Sequence, residues 1–120
     1  MSAIPKLGAV VLDCPDAVAL AGFYARLLDL PEPAVDDDAW VDLESPGGVR
    51  LSFQRVDSYR APEWPGQDRP QQFHLDFDVT DLEVAHARAL SSGATLLDDT
   101  PRTFRVYADP AGHPFCLCAC

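Results

Sequence analysis

Basic residues are scarce in this chain: nine lysines and arginines stand against nineteen aspartates and glutamates in 120 residues, a formal charge of −10. Such an excess of negative charge repels phosphate backbones and anionic headgroups, which excludes nucleic acid and acidic membranes as partners and leaves neutral or cationic ligands open. Long hydrophobic runs are missing too. The apolar stretch after Lys6 ends at Asp13, too short for a signal-peptide core or a membrane span, so a cytoplasmic protein is expected. No Gly-rich phosphate loop follows a strand, and neither a Gly-x-Ser-x-Gly elbow nor a His-Glu-x-x-His pair occurs, which removes the usual signatures of nucleotide binding, serine hydrolysis and zinc proteolysis. Cysteine is limited to Cys14, Cys116, Cys118 and Cys120, and a reducing cytosol keeps these as thiols.

What the chain does contain is an internal echo. Leu12-Asp13-Cys14-Pro15-Asp16 leads into a helical stripe, as does Phe77-Asp78-Val79-Thr80-Asp81; Ser45-Pro46-Gly47-Gly48 before an apolar run is matched by Asp109-Pro110-Ala111-Gly112 before another. The two offsets differ by one residue. One supersecondary unit used twice is implied, and two copies are too few for a solenoid. The expected arrangement is an α+β fold of two β-α-β-β-β modules about a pseudo-two-fold axis, with an open curved cleft between them. A chain of this length makes a single domain and buries about two thirds of its unfolded surface. Within it, residues 1–56 read as the first module, 57–71 as a linker loop and 72–120 as the second module.

The periodicities give the elements. Leu7 to Asp13 reads as a strand, and Pro15-Asp16 starts a helix whose stripe is Leu20, Phe23, Tyr24, Leu27 and Leu28, stopped by Pro31 and Pro33. A weak extended segment near Ala34 and Val35 precedes a hairpin of Ala39–Glu44 and Val49–Arg55 around the Pro46-Gly47-Gly48 turn. In the second half Phe73, Leu75, Phe77 and Val79 alternate with Gln72, His74, Asp76 and Asp78, a strand with one apolar and one polar face. Thr80-Asp81-Leu82-Glu83 reads as a capping box, Leu82, Ala85, Ala89 and Leu90 as the stripe, and Gly93 as the helix cap. Strands near Ala94–Leu97, Thr103–Ala108 and Phe115–Ala119 follow. The linker's Pro62, Pro65, Gly66 and Pro70 make a stiff loop that carries Tyr59 and Trp64 and is suited to covering a cleft.

Paired β-α-β-β-β modules, Phe23-Tyr24 on the first helix, His74 seven residues before Asp81, and Asp109-Pro110-Ala111-Gly112 before the last strand resemble the vicinal oxygen chelate superfamily, with its glyoxalase and bleomycin-resistance-like domains. The ending from Asp109 to Cys118 is similar to that of small actinobacterial glyoxalase-like proteins. The superfamily holds a divalent metal with His or Glu from the first and last strands of each module. By this resemblance those positions fall on Ala9, on Ser52 or Gln54, on His74 and on Cys116. Only His74 is an ordinary ligand, so no metal or other cofactor is expected; a bound metal would use His74 and Cys116. A homodimer is the expected assembly.

Cys116, Cys118 and Cys120 alternate along the last strand and so share a face, although thiols two apart on one strand are awkward for tetrahedral closure; core filling, zinc binding and redox reactivity all remain open for them. His74, with Asp76 as its same-face neighbour, is the candidate general base, the two forming a catalytic pair. His86 reads as a helix-rim residue, His113 as a turn contact, and Asp36-Asp37-Asp38 as a solvated turn or a weak calcium site. Most of the aromatic area of Trp40, Phe53, Trp64, Phe104 and Tyr107 is core. Val41 and Leu43 claim the core face of their strand, which turns Trp40 and Asp42 to the cleft. The ligand-binding set is Trp40, Asp42, Ser52, Gln54, Trp64, His74, Phe104 and Cys116. Three readings follow: a metal-free binding protein for a small aromatic or amphipathic molecule, of the drug-sequestering kind; an enzyme using His74 as base or a non-standard metal; or a structural or interaction domain.

Overall fold

The computed structural model describes residues 3–45 and 48–119; Cys120 and the Pro46-Gly47 part of the first hairpin turn lie outside them. The chain divides into two compact units, Met1–Tyr59 and Arg60–Cys120.

The first unit contains strand β1 (Ala9–Cys14), helix α1 (Ala17–Leu27) and strands β2 (Trp40–Leu43) and β3 (Arg50–Arg55). Its sheet runs β1-β3-β2, with β1 parallel and β2 antiparallel to β3. Helix α1 starts where the sequence indicates: Asp16 is its N-cap, and its carboxylate accepts the Ala19 backbone N–H at 3.0 Å. The apolar stripe buries Leu20, Phe23, Tyr24 and Leu27 against one sheet face, on which Leu12, Val41, Leu43, Leu51 and Phe53 are also buried. The Tyr24 ring stacks on Phe53 with centroids 5.7 Å apart and meets Phe23 edge-on at 4.8 Å. One expected element is missing, since Ala34 and Val35 form no strand; only an isolated Asp37–Trp40 bridge occurs nearby. Pro31 and Pro33 remove donors from this stretch, and the acidic run after it brings no apolar face to bury. That run is a solvated turn: Asp37 accepts the Ala39 N–H and Asp38 pairs with Arg55.

The second unit contains β4 (Leu75–Asp78), α2 (Leu82–Ser92), β5 (Thr95–Asp98), β6 (Phe104–Ala108) and β7 (Pro114–Cys118) in a four-stranded sheet ordered β4-β7-β6-β5. This is the complete β-α-β-β-β order. Tyr107, Phe115, Leu117 and the half-buried Phe77 lie on one face, with Tyr107 and Phe115 stacked at 5.5 Å. Two expectations for α2 are corrected. Asp81, rather than Thr80, is the N-cap and accepts the Val84 N–H at 3.1 Å, and Glu83 pairs with Arg105 on β6 instead of closing a capping box. Leu90 is 43% exposed, and the buried residues of that end of the helix are Ala89 and Ser92; one turn earlier the half-buried His86 joins its Nδ1 to the buried Tyr107 hydroxyl at 2.7 Å. Gly93, at φ 120°, closes the helix as expected.

The hairpin of β6 and β7 is organised by a buried carboxylate. Asp109, 4% exposed, accepts the backbone N–H groups of Ala111 and His113 at 2.8 and 3.0 Å. Gly112 sits at φ +90°, and a Cβ there would lie 2.8 Å from the Ala61 Cβ. None of the described helices is long and apolar enough to cross a membrane.

Two substitutions test these assignments by chemical denaturation. Asp81→Ala should cost about 1 kcal/mol and Thr80→Ala only a few tenths of that; the reverse order would restore the capping box. Gly112→Ala should cost about 1–3 kcal/mol, since both the positive φ and the close approach to Ala61 must be relieved.

Candidate functional site

The alternation of β4 puts Leu75 and Phe77 on the helix side and His74, Asp76 and Asp78 on the other. Parallel pairing with β7 sets Asp76 opposite Cys116 and Asp78 opposite Cys118, and β6 adds Val106 opposite Cys116 and Phe104 opposite Cys118. The second unit's sheet face away from α2 is therefore a row of polar and sulfur groups flanked by an apolar strand. Trp64, from the loop before β4, completes it. That loop is braced across its own base: Glu63 N–H donates to the Arg69 carbonyl at 2.6 Å, Arg69 pairs with the Glu63 carboxylate at 3.0 Å, and Arg69 Nε donates to the Ala61 carbonyl.

Together these groups enclose a cavity of about 390 Å³, within the size range of small-molecule sites. Its walls are Trp64, Phe104, Val106 and Pro114, and its polar groups are Gln71, His74, Asp76, Cys116 and Cys118. Of the residues expected to bind or react, Trp64, His74, Asp76, Phe104 and Cys116 meet here. Trp40, Asp42, Ser52 and Gln54 do not line this cavity. They come together on the first unit's sheet, on the face away from α1, where Trp40 is paired with Gln54 and Asp42 with Ser52.

In that second cluster the Asp42 carboxylate accepts from the Ser52 hydroxyl at 2.6 Å and from the Trp40 indole N–H at 2.9 Å. These two bonds, with Arg50 nearby, hold its carboxyl below the ordinary aspartate range. The network fixes the exposed Trp40 ring on this sheet.

Inside the cavity, His74 Nε2 lies 3.1 Å from Asp76 Oδ1, close enough for the carboxylate to orient the imidazole. Burial pushes the Cys116 thiol up to about 12, with the neighbouring Asp76 charge adding to the effect. The thiol is therefore protonated at neutral pH, which rules out ready thiolate attack. Cys14, Cys116 and Cys118 are all thiols, as expected. Gln71 was not foreseen: its Oε1 is buried with no hydrogen-bond partner among the described residues, and nothing local in the sequence distinguishes it from Gln72. Val106 was legible, because it shares the parity of Phe104 along β6.

The superfamily's divalent metal draws ligands from both modules, and this chain does not fit that pattern. Ala9 has no donor, Ser52 is engaged with Asp42, and Gln54 offers only an amide. In the second unit, by contrast, His74, Asp76 and Cys116 each present a ligand atom, all within 4.8 Å of one another.

The folds of solved proteins agree with this architecture. A glyoxalase/bleomycin resistance protein/dioxygenase family enzyme from Burkholderia phytofirmans PsJN superposes with a TM-score of 0.72 at 18% identity, covering 94% of this chain and 97% of that one. A glyoxalase-related enzyme from Fulvimarina pelagi gives 0.69 at 21% identity over 96% and 88%. A glyoxalase/bleomycin resistance protein from Albidiferax ferrireducens T118 gives 0.64 at 17% over 92% and 95%. None of the curated proteins is significantly similar to the chain in sequence. The architecture is thus the fold of these glyoxalase and bleomycin-resistance proteins. The glyoxalase-like domain family matches residues 9–118, and the chain belongs to it.

The Cys116 assignment has a direct chemical test. With its pKa about 12, its thiolate fraction at pH 8 is roughly a thousandfold below that of an ordinary thiol. Alkylation by iodoacetamide, followed by peptide mass mapping, should be slower than for an exposed cysteine by at least that factor and should rise with pH up to about 12. Asp76→Asn, by removing the adjacent charge, should speed it at fixed pH. Rapid modification of Cys116 at pH 7 would contradict the assignment.

Proposed function

We propose that this protein binds a small, flat, aromatic or amphipathic molecule, neutral or cationic, in the cavity of the second unit. The observation that carries the reading is the combination of apolar walls with acceptors in one enclosure. Trp64 and Phe104 supply stacking area, the Asp76 carboxylate is an acceptor on the same lining, and Gln71, whose buried Oε1 has no partner among the described residues, lies beside them. A buried acceptor without a partner is costly, and a ligand N–H would satisfy it. The charge of −10 attracts cations and repels phosphates and carboxylates. Bleomycin-resistance proteins stand among the structural neighbours, which makes sequestration without chemistry a coherent role.

A second reading, general acid–base catalysis, is favoured by the His74–Asp76 contact at 3.1 Å. An imidazole oriented by a carboxylate and facing a cavity is equipped to take a proton from a bound substrate. In that case His74→Ala would abolish turnover while leaving affinity nearly intact. In the binding reading no turnover exists to lose.

Fluorescence titration with a panel of neutral, cationic and anionic aromatic compounds tests the proposal. Neutral or cationic compounds should quench tryptophan emission at micromolar concentration, and cation binding should weaken with added salt. Trp64→Ala should weaken binding about tenfold, in line with the loss of about 1–2 kcal/mol of stacking and cation–π attraction. Trp40→Ala should have a smaller effect. Tight binding of phosphorylated or coenzyme A compounds, insensitive to Trp64→Ala, would overturn the reading.

A further inference from the structure

Prolines leave the loop before β4 short of donors. Pro62, Pro65 and Pro70 carry no backbone N–H, so this stretch cannot close on itself with a run of ladder bonds. An isolated bridge between Glu63 and Pro70 joins its two stems. Arg69 supplies the donors that the backbone lacks. Its guanidinium is a planar fork used here in two directions: a terminal nitrogen lies 3.0 Å from the Glu63 carboxylate, and Nε donates to the Ala61 carbonyl at 3.1 Å. The Arg69 carbonyl in turn accepts the Glu63 N–H at 2.6 Å. One residue of the second stem thus holds the first on both sides of Pro62.

The hold falls beside the cavity wall. Trp64 directly follows Glu63 and Gln71 stands two residues after Arg69, and both line the cavity. Trp64 belongs to no strand or helix, so this loop rather than a ladder sets its position. Ala61 seats the loop further, because a Cβ at Gly112 on the β6–β7 turn would lie 2.8 Å from its own. Pro114, two residues beyond Gly112, is another cavity wall. The loop tip is equally close-fitting, since a Cβ at Gly66 would come within 3.1 Å of the Glu63 carboxylate.

Magnitudes separate position from stability. The Arg69 and Glu63 side chains are 44% and 39% exposed, and an ion pair in that setting adds little to global stability. An indole wall, in contrast, serves binding best when it is held in place beforehand, because ordering it on binding lowers affinity. Arg69 itself does not line the cavity, which leaves it to act through Trp64.

We infer that Arg69 is a positioning residue of the binding site: by holding Glu63 and Ala61 it presents Trp64 in a fixed pose, so that a flat ligand meets a preformed stacking wall. The benefit to a ligand rests on the proposed function, whereas the pose of Trp64 exists without one. Charge gives the inference a sign. Arg69→Ala removes a cation from a protein of charge −10, which through the overall field alone would strengthen the binding of a cationic ligand. Loss of the pose weakens it instead.

The test uses the full-length protein carrying Trp40→Phe, in which Trp64 is the remaining tryptophan. Without ligand, Arg69→Ala should raise acrylamide quenching of Trp64 by at least about twofold and lower its fluorescence anisotropy, as for a loop residue released to solvent. The melting temperature should fall by only about 1–4 °C. Arg69→Lys, which keeps the charge but not the fork, should lie between the two. In calorimetric titration, proflavine, a flat aromatic cation, should bind about fivefold more weakly to Arg69→Ala, with no further loss when Arg69→Ala is added to Trp64→Ala. Unchanged quenching and anisotropy in Arg69→Ala would overturn the inference, as would an equal proflavine loss with and without Trp64. A fall in melting temperature of about 10 °C or more would mark a merely structural role and overturn it too. Failure of proflavine to bind any variant would count against the proposed function alone, and the ligand-free quenching would still decide the role of Arg69.

Discussion

The parallel pairing of β4 with β7 is the constraint on which the second unit's chemistry depends. Because side chains alternate with a period of two, sliding this ladder by one residue would carry Asp76 opposite the core residue Phe115 or Leu117 and dismantle both faces together. The register is secured by apolar packing on the helix side, where Phe77 meets Phe115 with centroids 5.9 Å apart. The polar face is thus placed by contacts it does not itself make. The same logic holds one strand further on: the Asp109 carboxylate fixes the β6–β7 turn, and that turn sets Val106 beside Cys116.

The two units share a plan, although the first has three strands and the second four, and they divide their labour unequally. In the first, α1 buries seven residues, including two aromatic rings, and its sheet face is densely filled. In the second, only Ala89 and Ser92 of α2 are buried, and much of the packing rests on Tyr107, Phe115 and the His86 contact. A polar histidine in the stripe costs apolar area but gives the Tyr107 hydroxyl a partner that it needs in that position. The unit with the thinner core carries the cavity, in keeping with the tendency of binding regions to occupy the less stable parts of a fold.

Much of this was legible in the sequence wherever the controlling physics is local. Strict alternation from Gln72 to Val79 told which of His74 and Leu75 faces the core, and the stripe from Leu20 to Leu27 gave α1 and its buried side. Legibility ended where a distant partner decides. Thr80 and Asp81 are both competent caps, and the helix starts after Asp81, as α1 starts after Asp16, with Glu83 paired to Arg105 across the fold. Leu90 is exposed while Ala89 and Ser92 are buried, a choice among neighbouring stripe positions that the packing of the sheet decides. Asp76 and Cys116 were each noticed, but their adjacency is a property of a parallel register and appears in neither strand alone. Trp64 was expected beside a ligand on a stiff loop, but the Glu63–Arg69 brace across that loop's base appears in no local pattern.

A parallel pair also orders events in time. The strands of the β6–β7 hairpin are joined by a short turn, whereas Leu75 must find Phe115 across about forty residues, a loop whose closure entropy has to be met before the pairing is rewarded. Local hairpin and helix contacts form readily, and long-range parallel pairing is slow. During synthesis β4 emerges well before β7 exists, so its polar row waits without a neighbour while α2, β5 and β6 are made. The aspartates at positions 76 and 78 then have a second use: alternating negative charges on an unpaired strand discourage its association with other chains. The carboxylate that faces the cavity in the finished protein protects the same strand on the way there.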